Sequence, residues 1–347
     1  MQGRGAVLTT AGSLSEWTTL RLGGPARRWL TAQSRLELYD AVAAADRDGE
    51  QVLVLGGGSN LVVSDAGFDG LVVRVQSCGR TSDTSACAGV ELTVEAGEDW
   101  DTLVAASLEL ECIGLEALSG IPGTIGAAPI QNVGAYGQEI ADSVARVHVF
   151  DRLERRTRTM FASECQFGYR TSLFKQNPGR FVVGAVTFQL RQGSLGEPVR
   201  YGELARALEV QAGERAPAAQ VRSAVLRLRS SKGMVLDESD RDTWSAGSFF
   251  TNPFVQADQL PDDAPAYPQP DGTVKTSAAW LIEHAGFSRG YGHEGVQVSG
   301  KHTLALTNRG AGTTDDLISL AREVRDGVEQ RFGIRLEPEP VLVGCSL

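Results

Sequence analysis

Two glycine-rich loops hold the residues of this chain best suited to chemistry. Residues Ser119–Ile140 carry Gly120, Gly123, Gly126, Gly134 and Gly137 in a run of small and apolar residues with almost no charge. A core helix would not tolerate five glycines, and a surface loop would contain more Asp, Lys and Ser. The run suits backbone passing close to a large, flat, partly anionic ligand, where amide N–H groups do the binding and a Cβ would intrude. The other loop, Gly56-Gly57-Gly58-Ser59-Asn60, lies between strand-like Gln51–Leu55 and apolar Leu61–Val63. Main-chain donors in such a turn can cradle a pyrophosphate. It is not the Gly-x-Gly-x-x-Gly fingerprint, because Leu61 stands where the last glycine belongs and no helix follows. A dinucleotide held here needs a different fold.

The elements that must position these loops alternate irregularly. Ser34-Arg35-Leu36-Glu37 has the form of a capping box and opens a helix running to Gly49; with Gln51–Leu55 it begins a small α/β unit. Strand-like runs follow at Leu71–Val75, Val90–Ala96 and Phe181–Leu190, and a helix near Asp99–Cys112 puts Trp100, Leu103, Val104 and Leu108 on one face. This is α+β patterning rather than a doubly wound sheet. Looser composition at Arg191–Glu197 predicts a domain boundary. Beyond it, Val221, Ala224, Val225 and Leu228 mark an amphipathic helix, Pro261–Gly272 reads as a surface loop, and Thr314–Phe332 as a long helix stopped by Gly333. Ile334–Val343 reads as a last strand, from which Pro338, unable to donate to a ladder, is expected to release the chain.

A length of 347 residues allows two or three domains with proper cores. No run approaches the ~18 apolar residues of a membrane span, and Met1–Thr19 lacks the cationic start and apolar core of a secretory signal. Cys78, Cys87, Cys112, Cys165 and Cys345 are odd in number and lack a Cys-x-x-Cys spacing, which predicts reduced, structural thiols in a cytoplasm. A net charge of −10 argues against nucleic acid and anionic membranes as partners. His148, His284, His293 and His302 form neither His-x-x-x-His nor a Cys/His cluster, so no metal is expected. Gly295 to His302 approaches a phosphate-binding Gly-x-x-x-x-Gly-Lys-Ser/Thr loop. It places His302 where the hydroxyl belongs, however, and continues into strand-like Thr303–Thr307, so an NTPase is not expected.

The motifs together resemble the UDP-N-acetylenolpyruvoylglucosamine reductase family. They comprise Leu55–Asn60, Ile121–Gly126, Gln131–Gly137, Phe167–Arg170 with Ser172–Lys175, Tyr201–Leu204, Gly247–Pro253 and Leu336–Glu339, and they span the chain from about Thr19 to Val343 in family order. The resemblance implies a two-lobed FAD-binding domain of the vanillyl-alcohol-oxidase type over residues 19–195 (lobes about 19–70 and 71–195). A C-terminal α+β substrate domain would follow at 200–347, its last strand returning to the active site. It implies FAD held by Gly56, Gly57, Gly58, Ser59, Asn60, Gly123, Thr124, Ile125 and Gly126. With no His or Cys in the first loop, attachment should be non-covalent. NADPH is the implied hydride donor, UDP-N-acetylglucosamine enolpyruvate the substrate, and a cytoplasmic monomer the implied form.

By the same resemblance, Arg170 clamps the substrate carboxylate, Ser248 donates the proton, and Glu339 polarises the intermediate. Tyr201, Lys232, Asn252 and Lys275 grip the nucleotide and pyrophosphate part. Polyanionic ligands in an acidic chain demand such local cations, with Lys175 a further candidate. Period-2 alternation puts Arg335, Glu337 and Glu339 on one face, so only motif position selects Glu339, leaving Glu337 as a partner for Arg335 or another cation. Thr171, Thr251, Pro340 and a short tail to Leu347 depart from the family pattern. Two other readings fit in part. A different flavin oxidoreductase would use both glycine loops but leaves Gly-Ser-Phe-Phe and Leu-Glu-Pro-Glu unexplained; an inactive UDP-sugar-binding regulator would not need Arg170, Ser248 and Glu339.

Overall fold

Local signals set most of the helices. Ser34 caps helix α1 (Arg35–Arg47), its Oγ accepting the Glu37 N–H at 3.2 Å, while the Glu37 carboxylate reaches past the usual box partner to the Gln33 N–H at 2.8 Å. Asp99 caps α2 (Trp100–Glu109), whose Trp100, Leu103 and Val104 are buried as the 3.6-residue period requires. Three helices follow: α3 (Leu173–Gln176), α4 (Gly202–Leu208) and α5 (Ala218–Ser231). After α6 (Ala278–His284), α7 runs over Thr314–Phe332 and ends at Gly333 with φ 68°, where glycine carries no Cβ penalty. The computed structural model describes residues 12–85 and 89–347. Cys87, and the part of the signal-peptide reading that rests on residues 1–11, lie outside the described residues.

The chain divides into two compact units that do not follow sequence order. The first holds residues 27–57 and 69–230, the second 12–26, 58–68 and 231–347. The cut therefore falls at Ser230/Ser231 rather than near 195–200, and α4, α5 and Tyr201 cluster with the first unit. Two details explain this. The Glu197 N–H donates to the buried Glu116 carboxylate at 2.5 Å, and Val199, Leu204, Val221 and Val225 share a buried cluster with Ala117.

The first unit contains a three-stranded sheet, in the order Ala26–Ala32, Phe68–Val75, Val52–Leu55, and a larger one. The larger runs Arg156–Phe161, Val144–Asp151, Phe181–Gln192, Gly89–Glu95, Arg80–Ser85, with Cys112–Ile113 pairing the end of Phe181–Gln192. Its core packs Trp100, Leu103 and Val104 of α2 with Val94, Val147 and Phe188 of the sheet.

The second unit is built around α6 and α7 and recruits distant chain. Leu20, Leu22 and Val62 join Phe249, Phe250, Leu281, Leu317 and Val324 in one core. Pro261–Gly272 is not all loop: Ala266–Pro268 forms an exposed strand paired with Val274–Thr276. The closing strand is shorter than expected, Val341–Val343, and lies parallel to Leu61–Val63.

Candidate active site

In the first unit, the strand Val52–Leu55 delivers Gly56 and Gly57 against the second glycine loop. A Cβ on Gly57 would stand 2.7 Å from the Cα of Gly123, and one on Gly56 2.4 Å from Thr124 Oγ1. At Gly57 a Cβ would drive two backbone segments apart, so glycine is required there, whereas at Gly56 it would displace the Thr124 hydroxyl. The second loop is pinned from behind. Trp100 N–H donates to Gly123 O (3.0 Å), Ile125 N–H to Glu98 O (2.9 Å) and Gly126 N–H to Ala96 O (2.9 Å). Ile125 has its side chain in the core, so Ile125 and Gly126 shape the loop rather than offer it their amides. At its entry, Asp101 accepts the Gly120 N–H at 2.6 Å and forms a bidentate pair with Arg222 of α5, at 2.6 and 2.8 Å. Two loops that approach backbone to backbone at Gly57 and Gly123 fit the pyrophosphate of a flavin dinucleotide.

Arg170 lies on a tight turn. Gly168 and Thr171 exchange N–H···O bonds of 3.0 and 3.2 Å, and Arg170 itself adopts φ 53°, uncommon for a residue with a Cβ. The turn is held by buried Asn132, whose Nδ2 donates to Gly168 O at 3.0 Å and to Glu139 Oε2 at 2.6 Å while its Oδ1 accepts the Ala141 N–H. The guanidinium donates to Gly134 O at 2.6 Å and lies 5.3 Å from the Tyr169 ring. Thus the 130–140 run is the mount of the half-buried Arg170, a function its glycines alone did not reveal. Ser172, just beyond, is buried and caps α3 below half-buried Lys175.

Beside this mount, Tyr136 meets Tyr201 edge-on, with ring centroids 5.4 Å apart. Tyr201, at the N-cap of α4, is 45% exposed. Burial raises the Tyr136 phenol to about 12 against the pull of Arg229, and burial lowers Arg229 to about 10 despite Tyr136 and Asp101. Arg229 was not expected at the site. The signal was available, since it falls four residues after Val225 and eight after Val221, on the apolar face of α5.

The second unit contains the other half of the motif residues. The division between the units passes through the first glycine loop, so Gly58, Ser59 and Asn60 belong here. Gly58 has no room for a Cβ, which would stand 1.9 Å from Trp17 O. Half-buried Ser248 sits between Gly247, with φ 73°, and two buried aromatics, Phe249 and Phe250. Pro338 does not release the chain. It bridges Phe250 in antiparallel fashion, because the bonds fall on its neighbours: Thr251 N–H donates to Glu337 O at 3.0 Å and Glu339 N–H to Phe249 O at 2.8 Å. The backbone of Glu339 is thereby tied to the residue after Ser248.

On its other side, Val341 N–H donates to Asn60 O at 2.9 Å. Ser248, Glu339 and the end of the first glycine loop thus share one backbone framework. Glu339 is half-buried whereas Glu337 is exposed. Arg335 pairs with Glu329 of α7 at 2.7 Å, not with Glu337. Asn252 Oδ1 accepts the Ala278 N–H at 2.9 Å, helping to cap α6. Lys275 stands in its strand opposite Phe254 and Tyr267, and half-buried Lys232 follows α5. The phosphate-loop lookalike is filled by acids: Asp242 takes the Gly300 N–H at 2.7 Å and Asp240 pairs with Lys301 at 2.5 Å.

Residues 26–158 match a family model described as an FAD binding domain, and 238–343 one described as the C-terminal domain of UDP-N-acetylenolpyruvoylglucosamine reductase. The two define an FAD-dependent oxidoreductase with a mixed α and β fold. Over 337 residues the chain is 53% identical to the UDP-N-acetylenolpyruvoylglucosamine reductase of Cutibacterium acnes, covering 96% of this chain and 90% of that one. It is 54% identical to that of Thermobifida fusca, covering 96% and 97%. A crystal structure of the UDP-N-acetylenolpyruvylglucosamine reductase (MurB) from Thermus caldophilus superimposes with a TM-score of 0.68 at 26% identity, over 97% of this chain and 99% of that one. The chain belongs to the UDP-N-acetylenolpyruvoylglucosamine reductase family.

Proposed function

We propose that this chain reduces UDP-N-acetylglucosamine enolpyruvate to UDP-N-acetylmuramate with NADPH, a step in peptidoglycan precursor synthesis, using Arg170, Ser248 and Glu339. The reaction adds a hydride at the terminal alkene carbon and a proton at the adjacent one. Bound FAD would supply the hydride chemistry that links NADPH to the alkene. Gly56, Gly57, Gly58, Ser59, Asn60, Gly123 and Thr124 hold it non-covalently. Arg170, already mounted on Gly134 O, offers a planar, permanently charged donor to the substrate carboxylate, and its hold strengthens as enolate charge accumulates. Ser248 gives its proton to the carbon next to the carboxylate. A hydroxyl is a weak acid, so Glu339 stabilises the charge that accompanies the transfer. Tyr201, Lys232, Asn252 and Lys275 take the nucleotide and diphosphate; the Asn252 oxygen is engaged on α6, which leaves its amide nitrogen for the ligand. The same reading makes the protein a cytoplasmic monomer, the second point open to sedimentation.

The observation that carries the assignment is the hydrogen bond from Glu339 N–H to Phe249 O, which joins the strand of the carboxylate to the turn of the serine. Replacing Ser248 with Ala tests it. NADPH should still bleach the flavin, while reoxidation by the enolpyruvyl substrate should slow by ~10²–10⁴-fold. Normal reoxidation in that variant would remove Ser248 from the mechanism. Acid precipitation should release the flavin into the supernatant; a colourless protein that FAD cannot reconstitute would overturn the whole reading.

A further inference from the structure

We infer that Thr19 is a positioning residue for Ser248, an inference that rests on the reading of Ser248 as proton donor. Thr19 lies far from the motif in sequence, yet it is buried within the second unit. Its Oγ1 donates to Ser245 O at 2.6 Å, and its N–H donates to Gly58 O at 3.2 Å. One residue therefore touches both the first glycine loop and the turn that presents the serine.

Ser245 is the fixed post of that turn. It bridges Thr307, its N–H donates to Thr243 O at 2.9 Å, and its Oγ accepts the Gly247 N–H at 3.2 Å. Gly247 then takes its positive φ, and Ser248 follows. On the far side, Phe249 N–H donates to Leu304 O at 2.7 Å and Phe249 O accepts from Glu339. The Ser248 hydroxyl thus hangs between two anchors. The C-terminal one is main chain on main chain, which substitution cannot remove. The N-terminal one joins the Ser245–Thr307 bridge to the Thr19 hydroxyl, and of these only the hydroxyl can be removed by substitution. Without it Ser245 O becomes a buried acceptor deprived of this donor, and the turn shifts within its remaining main-chain ties to find another. A displacement of about 1 Å at the proton donor is enough to cost on the order of 100-fold in rate.

The test uses the full-length holoenzyme and separates the two half-reactions, each normalised to bound FAD. Thr19→Val keeps the shape and removes the donor. We expect flavin reduction by NADPH to stay within about twofold and reoxidation by the enolpyruvyl substrate to slow by about 10- to 100-fold, in the limiting rate rather than in the half-saturating concentration. Thr19→Ser restores the donor and should recover most of the rate. If Thr19→Val fails to load FAD, Thr19→Ala, whose smaller side chain leaves space for a water, replaces it in the same comparison. Unchanged reoxidation, an equal fall in both half-reactions, or no rescue by serine would each overturn the inference. Ser248→Ala runs alongside. If it reoxidises normally, the proton-donor reading has failed; if it is slow while Thr19→Val is fast, only the role of Thr19 has.

Discussion

A fragment of residues 200–347, the domain that composition suggests, should not fold by itself. The second unit draws residues 12–26 and 58–68 into its centre. Excision removes Leu20, Leu22 and Val62, which are 1%, 4% and 0% exposed. At ~1.5–3 kcal/mol for each buried aliphatic side chain, the loss is about 5–9 kcal/mol. It also removes Asp65, whose two oxygens accept the Thr314 and Asp315 N–H groups at 2.9 and 3.0 Å at the start of α7, worth about 1 kcal/mol or more. The Val341–Val343 strand loses its parallel partner, and buried Asn308 loses the Leu20 and Arg21 carbonyls that receive its Nδ2. The total, about 6–10 kcal/mol, is of the size of the ~5–15 kcal/mol by which whole domains are stable, so little or no stability remains to the fragment. Circular dichroism and amide proton dispersion of the purified fragment provide the assay, with full-length protein as reference. A cooperative thermal transition in residues 200–347 alone, near that of the parent, would refute the reasoning.

Three further outcomes follow from the site. Glu339→Gln should cut substrate-dependent reoxidation by ~10²–10⁴-fold with FAD content and NADPH oxidation unchanged, whereas exposed Glu337→Gln should shift stability by under about 0.5 kcal/mol and turnover by less than twofold; stopped-flow half-reactions that show Glu337→Gln to be the more damaging would misplace the carboxylate. Gly57→Ala, with its Cβ 2.7 Å from Gly123 Cα, forces two backbone segments apart and should weaken FAD binding by about 10-fold or more; fluorescence titration of the apoprotein with FAD checks it, and an unchanged Kd would contradict it. Burial pushes the Asp101 carboxyl up, but the Arg222 and Gly120 hydrogen bonds outweigh it and hold the group below its ordinary value. A depressed folded value gives stability that is fully present above the unfolded value of ~3.9 and is lost as pH falls through the folded value. The Tm gap between the parent and Asp101→Asn should therefore close from about pH 5 downward; a gap independent of pH would exclude this.

What the sequence revealed was mostly local. Thr314–Phe332 is a helix with the bounds its periodicity and Gly333 indicate, and Ser34 caps where a capping residue should. Gly56, Gly57 and Gly123 could be singled out because a missing Cβ is visible in sequence even when the contact it permits is not. What stayed hidden depends on which distant segment a loop docks against. The loosened stretch at Arg191–Glu197 is legible as a loop, but not its tether to Glu116, so composition points about thirty residues before the cut between the two compact units.

The same distinction applies to the two glutamates. Alternation alone treats Glu337 and Glu339 alike, and proline chemistry suggests that the chain detaches between them. The structure retains the pairing, because an antiparallel bridge asks nothing of the N–H that Pro338 lacks: its neighbours supply the donor and the acceptor. The consequence is that Glu339, not Glu337, sends its N–H to Phe249, one residue from Ser248. Thr19 completes this logic from the other end of the chain. Nothing in Thr18-Thr19-Leu20 distinguishes it from any threonine near a strand, since its partners, Gly58 and Ser245, lie 39 and 226 residues away. A position whose role consists of joining two loops can be recognised only once both loops are in place.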